Sequence, residues 1–196
     1  MGEESAPGLF AASAFSGLLI RWNGLDIAGF AAWEFLPGMR FGERAAWWRG
    51  GADRGYAHEG LDVCWYRTVD GRRLSLGAGA RVPVIYAGEV VSVVDDFLGV
   101  SVFVAHARRD SQGRQLHTVY GHLRPQPGLD PGSVLDEGVA VGTIADTTDN
   151  KRAVPPHLHL TLVLIDREGG PKRLDWAALG DRSRVHLLDP MMIMKE

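Results

Sequence analysis

The most regular pattern in this sequence is an alternation of side-chain types near its C-terminal end. Leucines occupy every second position from Leu158 to Leu164, and His157, His159 and Thr161 occupy the positions around and between them. Successive side chains of a β-strand point to opposite faces, so the leucines share one face and the two histidines share the other. The pattern predicts a strand whose leucine face is buried, which holds both imidazoles on a rigid element.

The glycine and proline content favours a mainly β domain. The chain has 25 glycines and 10 prolines in 196 residues, about 18% against a usual ~12%, which predicts many turns between short elements. Strand-like runs lie at 81–94 and at 139–144. Two further runs, at 100–105 and 114–123, are separated by a turn and predict a hairpin. A short C-terminal helix at 174–179 is the one helix that we expect.

The chain divides into an N-terminal extension and a main domain. Residues 1–50 contain large apolar side chains such as Phe30, Trp33 and Trp47 without a clear period, and we expect them to pack on the main domain at 51–196, because exposing them to water would be costly. The apolar stretch from Gly8 to Ile20 follows two glutamates and is shorter than the ~20 residues of a membrane span. We therefore expect neither a signal peptide nor a membrane span.

Charge and cysteine content exclude two classes of site. The chain has 21 Lys and Arg residues against 24 Asp and Glu residues, a net charge of −3. That balance lacks the basic surface that phosphate backbones require, so we expect no nucleic-acid partner. The single cysteine, Cys64, can form neither an internal disulfide nor a cysteine-based zinc site.

Three short segments contain the residues most suited to chemistry: His58–Asp62, Tyr120–Leu123 and Pro156–Leu160. Each segment alone has an ordinary explanation, namely a surface His/Asp pair, a hydrogen-bonded structural histidine, and two polar residues on a solvated strand face. Together they supply four histidines and one aspartate. A catalytic zinc ion takes three His or carboxylate ligands and leaves a fourth position for water. The two further imidazoles could then exchange protons and stabilise developing charge.

In their order, these segments resemble the LytM/lysostaphin-type zinc metallopeptidases, peptidase family M23, across residues 50–166. The resemblance implies that His58, Asp62 and His159 bind Zn²⁺ and that His122 and His157 are the catalytic pair, in roles that the sequence does not assign. It also implies the lysostaphin-type peptidase fold, two packed antiparallel sheets with an open groove. The implied activity is zinc-dependent endopeptidase action on the peptide part of bacterial peptidoglycan, on cross-links or stem peptides, by a metal-activated water.

The chain departs from the family pattern in three places. Residues 151–155 replace the usual small approach to the last motif, and Leu160-Thr161 replaces the usual Phe-Glu after it. These two changes bear on the shape of the substrate groove. A recognisable export signal is also missing, although the family is expected in the cell envelope or outside the cell.

Two other functions share parts of this pattern. A cupin also carries a His-x-His strand, but it needs a glutamate a few residues later, and none follows here. A non-catalytic cell-wall-binding or hydrolase-activator module on the same fold is the better alternative. The presence of all five site residues favours the enzyme.

Several aromatic residues and histidines outside the five site positions are better explained by packing than by chemistry. Tyr56 could donate to an oxyanion, although packing is the commoner role of a loop tyrosine. Trp47, Trp48 and Trp65 are expected in the core or the groove wall rather than stacked on sugars. His106 and His117 lie symmetrically about the hairpin turn, and we expect a packing contact between them rather than a metal pair.

Overall fold

The protein is described by a computed structural model that covers residues 13–149, 154–166 and 174–194. Within these ranges it is mainly β and its strands pair antiparallel, as the sequence predicts. The strands are β1 (Phe30–Glu34), β2 (Ala45–Ala46), β3 (Ala52–Asp53), β4 (Leu61–Val63), β5 (Trp65–Thr68), β6 (Arg73–Ser75), β7 (Arg81–Pro83), β8 (Gly88–Asp95), β9 (Val100–Arg109), β10 (Gln115–Pro125), β11 (Val134–Leu135), β12 (Ala140–Ile144), β13 (Leu158–Ile165) and β14 (Val185–Leu188). The α-helix is α1 (Phe15–Trp22), and short 3₁₀ helices lie at Trp47–Arg49, Ala178–Gly180 and Pro190–Met192.

A nine-stranded sheet forms the centre of the fold. Strands β11, β8, β9 and β10 lie side by side in that order. The free edge of β10 is shared by β13, along most of its length, and by β12, which pairs onward with β7. The outer edge of β13 is in turn shared by β4 and β14. Strands β1, β5 and β6 form a second, three-stranded sheet, and β2 and β3 form a two-stranded ribbon.

Strand β13 confirms the strand predicted from the alternating leucines, and it is buried on both faces. The leucines belong to the main apolar core, and each fully buried leucine contributes ~1.5–3 kcal/mol. On the opposite face, Val163 and Ile165 join a second apolar cluster with Phe103, Val119 and Leu179. The alternative of a solvated histidine face is therefore wrong, because the C-terminal segment covers this side of the sheet.

The helical content lies at different positions from those expected. The predicted helix at 174–179 is a turn followed by the 3₁₀ helix Ala178–Gly180, whereas the α-helix is N-terminal. In α1, Phe15 and Leu19 are four residues apart and completely buried in the main core. Only two turns of periodicity are present, with Gly17 between them, so the helical pattern is weak in the sequence. No helix among the described residues is long and apolar enough to cross a membrane.

The hairpin of β9 and β10 confirms the predicted hairpin, but its register separates the two histidines. His117 lies opposite Ala105, and the ladder shifts between Gln115 and His117. His106 instead contacts the Thr118 hydroxyl, with 3.0 Å between Nε2 and Oγ1. The observed register thus places His117 one position away from alignment with His106, and the two rings have different hydrogen-bond partners, since Nδ1 of His117 is 3.1 Å from the Gln115 carbonyl oxygen.

Candidate metal centre

Three neighbouring strands bring the three motif segments together. On β13, His159 lies directly opposite Asp62 of β4 on one side and opposite Gly121 of β10 on the other. His122 follows Gly121, and His58 precedes β4 by a short turn. Directly opposed residues in an antiparallel sheet have Cβ atoms ~4.5–5.5 Å apart, close enough for their side chains to share one site.

Two glycines make this close approach possible. A Cβ atom added to Gly60 would lie 2.4 Å from the Leu160 carbonyl oxygen and 2.7 Å from Nε2 of His159. A Cβ atom added to Gly121 would lie 3.2 Å from Cβ of His159. The glycine within each of the first two motifs therefore leaves the space that the His159 ring occupies.

His58, Asp62 and His159 form a buried group that could hold a metal ion. Oδ1 of Asp62 lies 3.2 Å from Nε2 of His58 and 2.8 Å from Nδ1 of His159. The two ring nitrogens are 3.2 Å apart. Zinc ligands at ~2.0–2.1 Å in a tetrahedron are ~3.3 Å from one another, and these three atoms lie at or slightly inside that separation. One carboxylate oxygen and two imidazole nitrogens are also a donor set that zinc accepts.

The far nitrogens of both ligand imidazoles have fixed partners. Nδ1 of His58 is 3.2 Å from the Arg40 carbonyl oxygen, to which its N–H can donate. Nε2 of His159 is 3.0 Å from Oγ1 of Thr161. In the tautomers that these partners favour, the other nitrogen of each ring presents its lone pair to the metal position. Thr161 thus supports a candidate metal ligand, whereas the sequence suggested that this departure from the family bears on the substrate groove.

The electrostatics of the group suit a cation. Burial would raise the pKa of Asp62, but the neighbouring His58 and His157 and the hydrogen bonds from His157 and His159 lower it well below its usual value. Burial opposes protonation of His159, whereas its hydrogen bond to Asp62 raises its pKa. Because an imidazole binds a metal ion only in its neutral form, a proton on His159 would compete with any metal ion at this position.

His157 lies beside the metal group. Its Nδ1 is 2.8 Å from the Pro155 carbonyl oxygen, and its Nε2 is 3.5 Å from Oδ1 of Asp62. The Trp47 ring packs against it in a T-shaped arrangement, with 5.2 Å between ring centroids. These contacts direct Nε2 toward the carboxylate of Asp62.

His122 faces His157 from β10, with 4.8 Å between ring centroids. It has a φ of +63°, a left-handed conformation that non-glycine residues rarely adopt, and it lies at a shift in the β9–β10 register. Such strain persists only where the surrounding structure enforces it, often at functional sites. Here Asp96 supplies the restraint, since its carboxylate accepts 2.9 Å hydrogen bonds from the backbone N–H and from Nδ1 of His122.

Asp96 is held by donors on both oxygens. Besides His122, Oδ1 accepts hydrogen bonds from the backbone N–H groups of Leu98 and Gly99, and Oδ2 accepts one from the Ser101 hydroxyl. Ser101 in turn accepts a 3.0 Å hydrogen bond from Nε1 of Trp176. Burial would raise the pKa of Asp96, but these bonds, chiefly that of His122, hold it well below its usual value. Burial lowers the pKa of His122 to about 4 against the opposing effect of Asp96, so the ring is neutral at pH 7.

The site lies at the bottom of a groove of about 520 Å³. Tyr56 and Phe97 line it and are about half exposed, at 58% and 54%. Trp48 and Trp176 also line it, and so do Arg54, Glu59, Val154 and Arg182. Tyr56 and Trp48 are therefore wall residues. Of the approach to the last motif, residues 151–153 lie outside the described part of the chain.

Sequence reasoning missed Trp47 as a polar partner, and it missed Asp96, Ser101 and Trp176 altogether. Nε1 of Trp47 donates a 2.7 Å hydrogen bond to Oδ2 of Asp62, although the sequence suggested only packing. The Asp96–Gly99 segment has the composition of an Asx turn, which could have marked Asp96 as a turn residue. No local pattern connects it to His122, 26 positions later.

Comparisons with known proteins identify structural neighbours but no sequence family. No protein-family model matches the chain, and no curated protein sequence matches it. Similar solved structures include the catalytic domain of the antimicrobial peptidase lysostaphin from Staphylococcus simulans, at 16% identity over 86% of this chain and 90% of that one, with a TM-score of 0.45. The catalytic domain of a prophage-encoded M23 protein from Enterococcus faecalis, solved as a point mutant, is 25% identical over 74% of this chain and 91% of that one, with a TM-score of 0.42. The solution structure of lysostaphin is 17% identical over 82% of this chain, with a TM-score of 0.45, and the chain spans 47% of its length.

Proposed function

We propose that the protein is a zinc metalloendopeptidase that hydrolyses peptide bonds in bacterial peptidoglycan. The observation that carries this proposal is the convergence of three ligand atoms, 2.8–3.2 Å apart, with two further imidazoles beside them at the bottom of one groove. His58, Asp62 and His159 hold the metal. When bound, a zinc ion supplies a nucleophile at neutral pH and Lewis acidity toward a carbonyl oxygen.

The surroundings of the two remaining histidines favour different roles. His122 has the Asp96 carboxylate at its Nδ1, which would stabilise the imidazolium that forms when Nε2 accepts a proton and so favours the role of general base. The Nδ1 of His157 is held by a neutral carbonyl, that of Pro155. We therefore assign His122 as the proton acceptor and donor. His157, when protonated at Nε2, hydrogen-bonds to the reacting carbonyl oxygen of the substrate.

The substrate class comes from the motif resemblance, and the groove is compatible with it. The groove walls combine the aromatic rings of Tyr56 and Phe97 with the charged side chains of Arg54, Glu59 and Arg182. Such a surface can contact both the apolar and the charged groups of a peptide. Peptide cross-links and stem peptides of the bacterial wall are therefore the substrates to test first.

The proposal is tested by metal analysis and turnover of one purified preparation. We expect about one zinc ion per chain by mass spectrometry, and release of new amino groups from purified peptidoglycan or from glycine-rich or D-alanyl peptides. A chelator should abolish turnover, and added zinc should restore it. Protein that binds zinc but cleaves none of these substrates would refute the peptidase. If that protein also co-sediments with peptidoglycan, the binding or activator module is the correct function.

A further inference from the structure

Trp47 connects the N-terminal segment to the candidate metal centre. Its side chain is 9% exposed and packs in an apolar cluster with Met39, Cys64, Leu98 and Val154. Its indole N–H donates the 2.7 Å hydrogen bond to Oδ2 of Asp62, and this bond is buried. A residue assigned only to packing therefore touches a candidate metal ligand.

The two oxygens of the Asp62 carboxylate have separate partners. Oδ1 faces the imidazoles of His58 and His159, while Oδ2 is turned toward Trp47. A carboxylate can bind a metal through one oxygen or through both, and a hydrogen bond to the second oxygen favours the one-oxygen mode. The indole N–H is a donor with no acceptor capacity, so it can pair with the carboxylate and cannot bind the metal itself.

The position of Trp47 is fixed by contacts on several sides. Its ring lies perpendicular to that of His157, at an interplanar angle of 87°. Two backbone hydrogen bonds join the N-terminal segment that contains Trp47 to β4 and to the turn before it. The Met39 carbonyl accepts a 2.9 Å bond from the backbone N–H of Asp62, and the Glu43 carbonyl accepts a 2.8 Å bond from the backbone N–H of His58. Movement of the indole away from Oδ2 would disturb its packing in the apolar cluster and against the His157 ring.

We propose that Trp47 is a positioning residue of the metal centre, which holds Asp62 as a one-oxygen ligand and so keeps a coordination position open for a water molecule or substrate. This inference rests on the metal centre of the proposed function but not on peptidase activity. Its chemistry requires the N–H group of the indole and not only the apolar ring.

Trp47→Phe tests this role, because it keeps an aromatic ring and removes the N–H. Trp65→Phe is a matched control, since Trp65 borders the same cluster and its Nε1 has no hydrogen-bond partner among the described residues. We expect Trp47→Phe to weaken zinc binding by ~10–100-fold in competition with a chelator. Trp65→Phe should retain wild-type affinity.

Cobalt substitution gives a readout that a packing role would not change. In the wild-type protein, Co²⁺ should show the intense visible absorption of four-coordinate geometry. In Trp47→Phe, Oδ2 of Asp62 loses its hydrogen bond and should bind Co²⁺ together with Oδ1. The coordination number then increases, so the visible absorption should weaken. Wild-type affinity and an unchanged cobalt spectrum in Trp47→Phe would overturn the proposal, whereas absence of zinc binding in the wild type would refute the metal centre itself.

A second measurement on the wild-type protein covers the case in which Trp47→Phe does not fold. In ¹⁵N-indole-labelled protein, the Trp47 N–H is identified by its NOEs to the His157 ring. We expect this proton to resonate downfield of the other indole protons, to exchange slowly with solvent, and to shift when zinc is added. An N–H that exchanges rapidly and is insensitive to zinc would contradict the proposal.

Discussion

Asp62 and His159 are direct cross-strand partners, and Oδ1 of one lies 2.8 Å from Nδ1 of the other although 97 positions separate them in the sequence. Strand pairing alone thus brings the first and last motifs together. Because the pair is part of the sheet ladder, the geometry of the candidate metal group depends on the register of β4 against β13. A shift of one residue would turn His159 to the opposite face.

This arrangement predicts that metal binding and turnover can be separated by mutation. His159→Ala should lose zinc and activity together, because it removes a ligand. His122→Ala should retain zinc and lose activity by ~10²–10⁴-fold, since it removes only a proton-transfer group. Zinc content by mass spectrometry and peptide-release rates check both variants. The reverse pattern, with zinc lost only in His122→Ala, would contradict the assignment of roles.

Asp96→Asn is expected to lower turnover by ~10²–10⁴-fold while zinc remains bound. The amide cannot stabilise a protonated His122 as the carboxylate does, and its NH₂ group faces donors rather than acceptors. The unsatisfied donors should also reduce the free energy of unfolding by ~1–3 kcal/mol. Activity assays and urea unfolding test these effects, with Asp95→Asn as the control because Asp95 is exposed. Equal activity of the two variants would rule out a positioning role for Asp96.

Gly60→Ala is expected to damage the metal group through overpacking. The added methyl group would overlap the Leu160 carbonyl oxygen and approach Nε2 of His159, so backbone or ligand must move. We expect a loss of ~1–3 kcal/mol in stability together with weaker zinc binding. Gly180→Ala is the matched control, because a Cβ atom there meets open space. Thermal unfolding and zinc competition measure both effects, and a Gly60→Ala protein with wild-type values would show that this space is not needed.

Protonation of the buried His117 is expected to lower the free energy of unfolding as the pH falls. Burial lowers its pKa to about 4 in the folded protein, against ~6.5 when unfolded. Between these two pKa values the unfolded state binds more protons than the folded state, so the free energy of unfolding falls as the pH is lowered. The full stability is present above pH 6.5, and up to ~3 kcal/mol is lost as the pH falls toward 4. In urea unfolding, His117→Gln should show a shallower loss of stability over this range than the wild type. His122 and His106 also have lowered pKa values in both proteins, so the difference between the two pH profiles reports His117 together with its charge interaction with His106. Parallel pH profiles would disprove the effect.

Local patterns in the sequence were sufficient for β13, for the hairpin of β9 and β10 and for the three motifs, because periodicity and turn composition act over a few residues. Helix α1 was not predicted, because two turns interrupted by Gly17 give too little periodicity. Its stability comes from burial of Phe15 and Leu19 in a core made by distant strands.

The sequence by itself determined which residues could form the site, namely the four histidines of the three motifs and Asp62 of the first motif. Only the tertiary structure decided which of their atoms meet and what supports them. Trp47 reaches Asp62 across 15 positions, Asp96 reaches His122 across 26, and Trp176 reaches Ser101 across 75. These hydrogen bonds depend on sheet register and on the packing of segments at both ends of the chain. They are therefore properties of the assembled core, which no local pattern in the sequence specifies.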